Sequence, residues 1–140
     1  MNYTDIISKW KEKKIDSIEK LDQQLSNFRI TFAYNSGTIE NPQITYHPTR
    51  EVFENGKVIN FCGDTQTIFE IENQKKCYNF LVPKIINKDP ITSDLIKKIH
   101  YQLMQGVYDE HRWQKGERPG HYKIHDYVIG KSNQGALPEE

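Results

Sequence analysis

The sequence is poor in the features that mark the common specialised classes. It has no surplus of either charge: 19 Lys and Arg stand against 19 Asp and Glu, for a formal net charge of +0. A dedicated nucleic-acid binder carries a basic excess to neutralise phosphates, so no nucleic-acid partner is expected. No apolar run approaches the roughly 20 residues that a membrane-spanning helix needs, so no membrane partner is expected either. The start, Met1-Asn2-Tyr3-Thr4-Asp5, lacks a basic stretch followed by an apolar one. It therefore predicts no export signal and a cytoplasmic location. The two cysteines, Cys62 and Cys77, belong to no C-x-x-C pair and are too few for a disulfide framework. Both are expected to be reduced thiols. His47, His100, His111, His121 and His125 show neither H-x-x-x-H nor H-E-x-x-H spacing, and no metal ligand is assigned. Glycine-rich phosphate loops and the G-x-S-x-G nucleophile elbow are absent as well.

What remains is enough for a folded domain. The chain has 140 residues, one ordinary domain's worth. Its mean hydropathy is low at -0.80, but six Phe, eight Tyr and two Trp supply a core, so general disorder is not expected.

The periodicity predicts a mainly helical fold. Ile7, Trp10, Lys14, Ile18, Leu21, Leu25 and Phe28 recur at three- and four-residue steps along one face, with Thr4 or Asp5 as a cap. The face opposite is charged. A break is expected over residues 35–42, where Asn41-Pro42 disfavours helix. A short helix over 48–55 is closed by Gly56. A second long helix runs from Thr65 to about Val82, where Pro83 ends or kinks it. A third is capped by Thr92 or Ser93, carries Leu95, Ile96, Ile99, Leu103 and Met104 on its apolar face, and closes at Gly106. Residues 107–120 read as a polar loop. Tyr122 to Ile129, rich in β-formers and bounded by glycines, reads as a strand whose hairpin partner starts near Ala136.

Taken alone, the residues assemble no catalytic constellation, and none is assigned. Asp109-Glu110-His111 reads as a solvated loop, His100 as a histidine at the edge of the core, and Cys77 as a small core residue. One segment says more. Ser36-Gly37-Thr38-Ile39-Glu40-Asn41 fits the pattern (Ser/Thr)-x-x-x-Glu-(Gly/Asn) and follows a long helix. Further along come Thr45-Tyr46-His47-Pro48-Thr49-Arg50-Glu51, then Ile99-His100-Tyr101-Gln102-Leu103-Met104-Gln105-Gly106, then Gly120-His121-Tyr122-Lys123, then Val128-Ile129-Gly130.

In this order, from about residue 28 to Glu140, the segments resemble the Fic family, and within it the class whose inhibitory helix precedes the core. The family transfers AMP from ATP to a Ser, Thr or Tyr hydroxyl of a target protein. The resemblance implies an N-terminal helical region over 1–60 with the inhibitory motif at 36–41. It implies the start of the Fic core over 61–140, with a flap hairpin at 121–138. Glu40 takes the place of the inhibitory glutamate, and Ser36 and Asn41 fix its turn. As an anion at a helix end, Glu40 would pair with the arginine of the active-site motif and keep the γ-phosphate of ATP from its productive position. Ile129, Gly130, Lys131 and Ser132 would lie over the nucleotide. Lys123, Ile124, Tyr127 and Val128 would dock an extended target segment by β-augmentation.

The comparison also exposes an absence. The family's active site, His-x-Phe-x-(Asp/Glu)-Gly-Asn-(Gly/Lys)-Arg, has no counterpart in these 140 residues. Its histidine takes the proton of the target hydroxyl, and its acidic residue holds Mg²⁺. ATP and Mg²⁺ are thus implied by the family, while no catalytic or metal-holding residue is assigned. His100, His121 and His125 lie outside the required helix-terminal context and are not substitutes. The chain reads as the N-terminal half of a Fic fold, without transfer activity of its own. Such a half should expose apolar surface, so self-association, or docking on a partner Fic chain to inhibit it in trans, is the alternative expectation.

Overall fold

The long N-terminal helix suggested by the periodicity is two helices. A computed structural model, which describes residues 2–59 and 61–125, places α1 at Tyr3–Glu12 and α2 at Ile18–Glu40. Asn2, and not Thr4 or Asp5, caps α1: it accepts from Asp5 N at 2.9 Å, while Asp5 returns a bond to Asn2 N at 3.2 Å. Lys14 turns into the left-handed region at φ 45°, and Ser17 restarts the helix by accepting from Lys20 N at 3.3 Å. A good N-cap serine inside an apolar stripe outweighs the periodicity around it. The expected break over 35–42 moves correspondingly. Helix α2 runs through Gly37 to Glu40, and Asn41 is its C-cap.

Helix α3 spans Tyr46–Asn55, with Pro48 in its first turn and Gly56 closing it at φ 81°. Helix α4 spans Thr65–Ile86 and carries on a full turn beyond the expected stop, with Pro83 inside it. The bond that Pro83 forgoes is the one to Asn79. Both residues are exposed, so water replaces it at small cost. Helix α5, Ser93–Leu103, is capped by Thr92 as expected, through a bond from Leu95 N at 3.2 Å. The polar loop after it holds a short helix that the sequence did not announce: α6, Glu110–Gln114, capped by Asp109 through Arg112 N at 2.8 Å. Asp109 is thus a helix cap, not part of an acid–base cluster.

The bundle is organised around α4. Helices α2, α3 and α5 pack on it, and α2 also packs on α3. One cluster joins Ile30 and Ala33 to Phe53, with Tyr78 against it. The other joins Ile44, Val52 and Ile71, with Tyr34 and Val58 against it. The buried residues of α2 are Leu21, which lies on the face that periodicity favoured, and Ile30, Ala33 and Gly37, which do not. Phe28, expected in the core, is 60% exposed and Phe32 57%. Helix α2 is apolar on two sides here, and α3 and α4 cover one of them. The other side, with Leu25, Phe28 and Phe32, walls an apolar groove of about 390 Å³ closed below by Cys77, Leu81 and Ile85.

The fold is mainly α. The strand expected from Tyr122 onward is not formed over Tyr122–His125, and no strand occurs among the described residues. The rest of the expected hairpin, with Tyr127, Val128, Ile129, Gly130, Lys131 and Ser132, lies outside the described residues. No helix among the described residues is long and apolar enough to cross a membrane. Cys62 is exposed and Cys77 buried, with no disulfide between them.

Candidate functional site

The motif 36–41 forms the last turn of α2 and its cap. Its middle is fixed by packing. A Cβ on Gly37 would stand 2.8 Å from Ile44 Cδ1, so any larger residue here requires the end of the Ile44 side chain to shift. Helix α2 is closed by the Asn41 N–H, which donates to Gly37 O at 2.8 Å. The Asn41 side chain then does two things at once. Its Oδ1 accepts from Gln43 N at 2.9 Å, shaping the turn. Its amide donates to Thr67 Oγ1 at 3.1 Å and to Glu70 Oε2 at 2.6 Å, both on α4.

With the turn fixed in this way, Ser36 and Glu40 sit one helical turn apart on the same side. Both line a cleft of about 570 Å³ between the end of α2, the start of α4 and the end of α5. Glu70, Gln74, His100 and Arg112 complete its polar wall, over an apolar floor that includes Ile44 and Leu103. Ser36 is half-buried, and Glu40 is exposed with no ion pair among the described residues. A carboxylate at the C-terminal end of a 23-residue helix faces the negative end of the helix dipole. Its local field therefore favours a cationic partner.

His100 is held from behind. Gly120 N donates to its Nδ1 at 2.8 Å, and its ring stands edge-on to Tyr108 at 6.3 Å. Nδ1 is the acceptor, so the neutral ring carries its proton on Nε2. Burial pushes the imidazole below its ordinary range, and the nearby Arg112 charge adds to this. The residue expected at the core edge is thus a neutral cleft residue tied to the loop after α6.

That loop is anchored a second time. Glu117, only 3% exposed, accepts from Ile124 N at 2.9 Å and His125 N at 3.2 Å, and its Oε1 lies 3.2 Å from His125 Nδ1. Arg118 stacks on Trp113, with its guanidinium 3.9 Å from the ring centre. Of the residues assigned to target docking, Lys123 is half-buried and Ile124 exposed, and neither lines the cleft. The Ile124 N–H is already taken by Glu117, so the backbone here is not open for augmentation at that position.

Sequence reasoning placed Ser36, Glu40 and Asn41 together and missed Glu70, Gln74, Arg112 and Glu117. The first two follow Gln66 at four-residue steps on α4, which reads as an ordinary polar helix face. Glu117 stands among turn residues, where nothing marks a carboxylate for burial. Among the described residues no group of three or more His, Cys, Asp or Glu is placed to hold a metal ion, so no step through Mg²⁺ is assigned to this part of the chain. Set against known proteins, the chain matches no family model, no curated protein and no solved structure.

Proposed function

We propose that this chain is the regulatory and flap-bearing portion of a Fic-type protein adenylyltransferase, restrained through Glu40. The observation that supports this reading is the setting of the motif. Ser36 to Asn41 is the final turn of a long helix, and Glu40 is the last helical residue. Its exposed carboxylate lies at the mouth of a polar cleft and has no cation of its own. An arginine brought to this cleft would gain a charge-assisted, bidentate partner and relieve the carboxylate's position at the helix end. In the Fic reading that arginine belongs to the active-site motif, and pairing with Glu40 withholds it from the terminal phosphate of ATP. Lys123, Ile124, Tyr127 and Val128 then face the target protein, and Ile129, Gly130, Lys131 and Ser132 the nucleotide. ATP with Mg²⁺ and a protein hydroxyl are the substrates of that reaction.

A second reading is favoured by the apolar groove along Phe28 and Phe32. An exposed apolar strip of this kind suits docking on another polypeptide. The chain would then be a non-catalytic module that carries Glu40 to a partner Fic protein and inhibits it in trans.

One experiment tests both readings. The chain is incubated with labelled ATP, Mg²⁺ and candidate proteins, alone and with a Fic-type enzyme whose own inhibitory glutamate has been replaced. The chain alone should label nothing. Suppression of the enzyme by the wild-type chain, lost in Glu40→Gly, supports the role of Glu40. Equal suppression by Glu40→Gly sinks it.

A further inference from the structure

We infer that Glu70 is a positioning residue: by holding the Asn41 amide it sets where α2 ends and how Glu40 is presented to the cleft. The contact is short and spans the two central helices. Asn41 Nδ2 donates to Glu70 Oε2 at 2.6 Å and to Thr67 Oγ1 at 3.1 Å, across 29 and 26 positions of sequence. The receiving side is fixed. Thr67 is 1% exposed, and the other carboxylate oxygen of Glu70 accepts from Gln66 Nε2 at 3.0 Å. The donating side is fixed as well, because Asn41 Oδ1 is occupied by Gln43 N at 2.9 Å. Both amide hydrogens and the amide oxygen of Asn41 therefore have partners, and each partner is held in place.

This arrangement selects asparagine. An aspartate at 41 would keep the bond from Gln43 N but place an anion against Glu70. An alanine would leave Thr67 and Glu70 without their donor. A bond to an ionised carboxylate is about twice as strong as a neutral one, so Glu70 is the larger half of the clamp. On the far side of the same turn Ile44 closes over Gly37, 2.8 Å from where its Cβ would be. Clamped on one side and packed on the other, the last turn of α2 has one seat on α4. The consequence for Glu40 rests on the function proposed above, whereas the clamp itself does not.

Hydrogen exchange at the Asn41 and Gln43 amides, combined with the inhibition assay, tests the inference. In Glu70→Ala exchange at these two amides should rise about tenfold, while Glu70→Gln, which keeps an acceptor, stays within about twofold of wild type. Amides in the middle of α4 should not change. Should Glu70→Ala unfold, Asn41→Asp reports the same contact: exchange rises in the single variant and is restored in Asn41→Asp/Glu70→Gln. In the assay Glu70→Ala should weaken inhibition about tenfold, whereas Glu40→Gly abolishes it with exchange unaltered. Unchanged exchange in both Glu70→Ala and Asn41→Asp overturns the clamp. Raised exchange with undiminished inhibition overturns the positioning role. Raised exchange where the wild-type chain never inhibits keeps the clamp and overturns the Fic-type reading.

Discussion

Gly120 N donates to His100 Nδ1 at 2.8 Å, and this bond ties the loop after α6 to the last turn of α5. Proton binding at Nδ1 destroys the acceptor, so the contact belongs to the neutral imidazole. Burial first, and then the Arg112 charge, hold His100 below the ordinary value of 6.5. A histidine with a depressed folded value binds fewer protons folded than unfolded. Its contribution to stability is therefore present above 6.5 and is lost as pH falls through the depressed value. Urea unfolding on either side of pH 6.5 should show lower stability on the acid side. That difference should shrink in His100→Gln, and an unaltered acid-side loss in the variant counts against the assignment.

Gly120 itself has little room. It adopts φ 78°, and a Cβ there would stand 2.9 Å from Lys97 O, a backbone atom of α5 that does not move cheaply. Gly120→Ala should therefore cost about 1–3 kcal/mol through strain and displacement of the loop. Thermal unfolding measures it, and the loss should exceed that of Gly116→Ala. There the φ is 90°, but the nearest atom is the flexible end of Ile124 at 3.4 Å.

Tyr78 donates to Asp22 Oδ1 at 2.6 Å, joining α4 to α2 beside the Phe53 cluster. Desolvation, helped by the Asp22 carboxylate, pushes the phenol from 10.0 up to about 12. The folded phenol keeps its proton over a window in which the unfolded one loses it. The associated stability is full below pH 10 and is lost as pH rises through about 12. Ultraviolet titration should show a late tyrosine titrating near 12 that is lost in Tyr78→Phe. The same variant should lose about 1 kcal/mol at neutral pH and be less sensitive to alkali.

How far these contacts were legible depends on the range of the interaction. Thr92 and Gly56 act through their own backbone neighbours, and their types alone announce helix ends, whereas α5 stops at Leu103 with Met104 as its cap, short of the Gly106 expected to close it. Ser17 carries the same kind of signal, but it was masked by an apolar stripe that ran straight through it. Phe28 and Ile30 could not be sorted by period, because α2 is apolar on two sides and only α3 and α4 decide which one is buried. Glu40 and Asn41 were legible as a local motif. Glu70, which holds Asn41 from 29 positions away, was not, because on α4 it is one more polar residue at four-residue spacing. Over Tyr122–His125 the expected strand fails for a related reason. Its β-formers express a local preference, and Glu117 overrides it by taking the backbone donors of Ile124 and His125.

Gly37 offers a test of the α2 turn by volume alone. Alanine is the better helix former by about 1 kcal/mol, but its Cβ meets the end of the Ile44 side chain, which is 3% exposed and must shift to admit it. Gly37→Val, which adds branched bulk at the same point, should destabilise by about 1–3 kcal/mol. Ile44→Val removes the Cδ1 atom that creates the conflict. The double variant Gly37→Val/Ile44→Val should thus be more stable than the sum of the single changes. Strict additivity in chemical unfolding would mean that Gly37 is not set by Ile44.

The buried carboxylate of Glu117 governs the chain that follows it. In Glu117→Ala the Ile124 and His125 N–H groups lose their acceptor and His125 loses its pairing partner. Because both residues are exposed, water reaches the freed donors and limits the cost to about 1–3 kcal/mol. The larger effect should be local. Lys123 is half-buried while its neighbours are held by Glu117, and release of the turn exposes its peptide bond. Limited trypsin digestion should therefore cut after Lys123 several-fold faster in Glu117→Ala than in wild type, following the population of the opened turn. Glu117→Gln keeps an acceptor oxygen for the two backbone donors and should remain close to wild type. Equal cleavage in all three proteins would show that the turn is held by something other than this carboxylate.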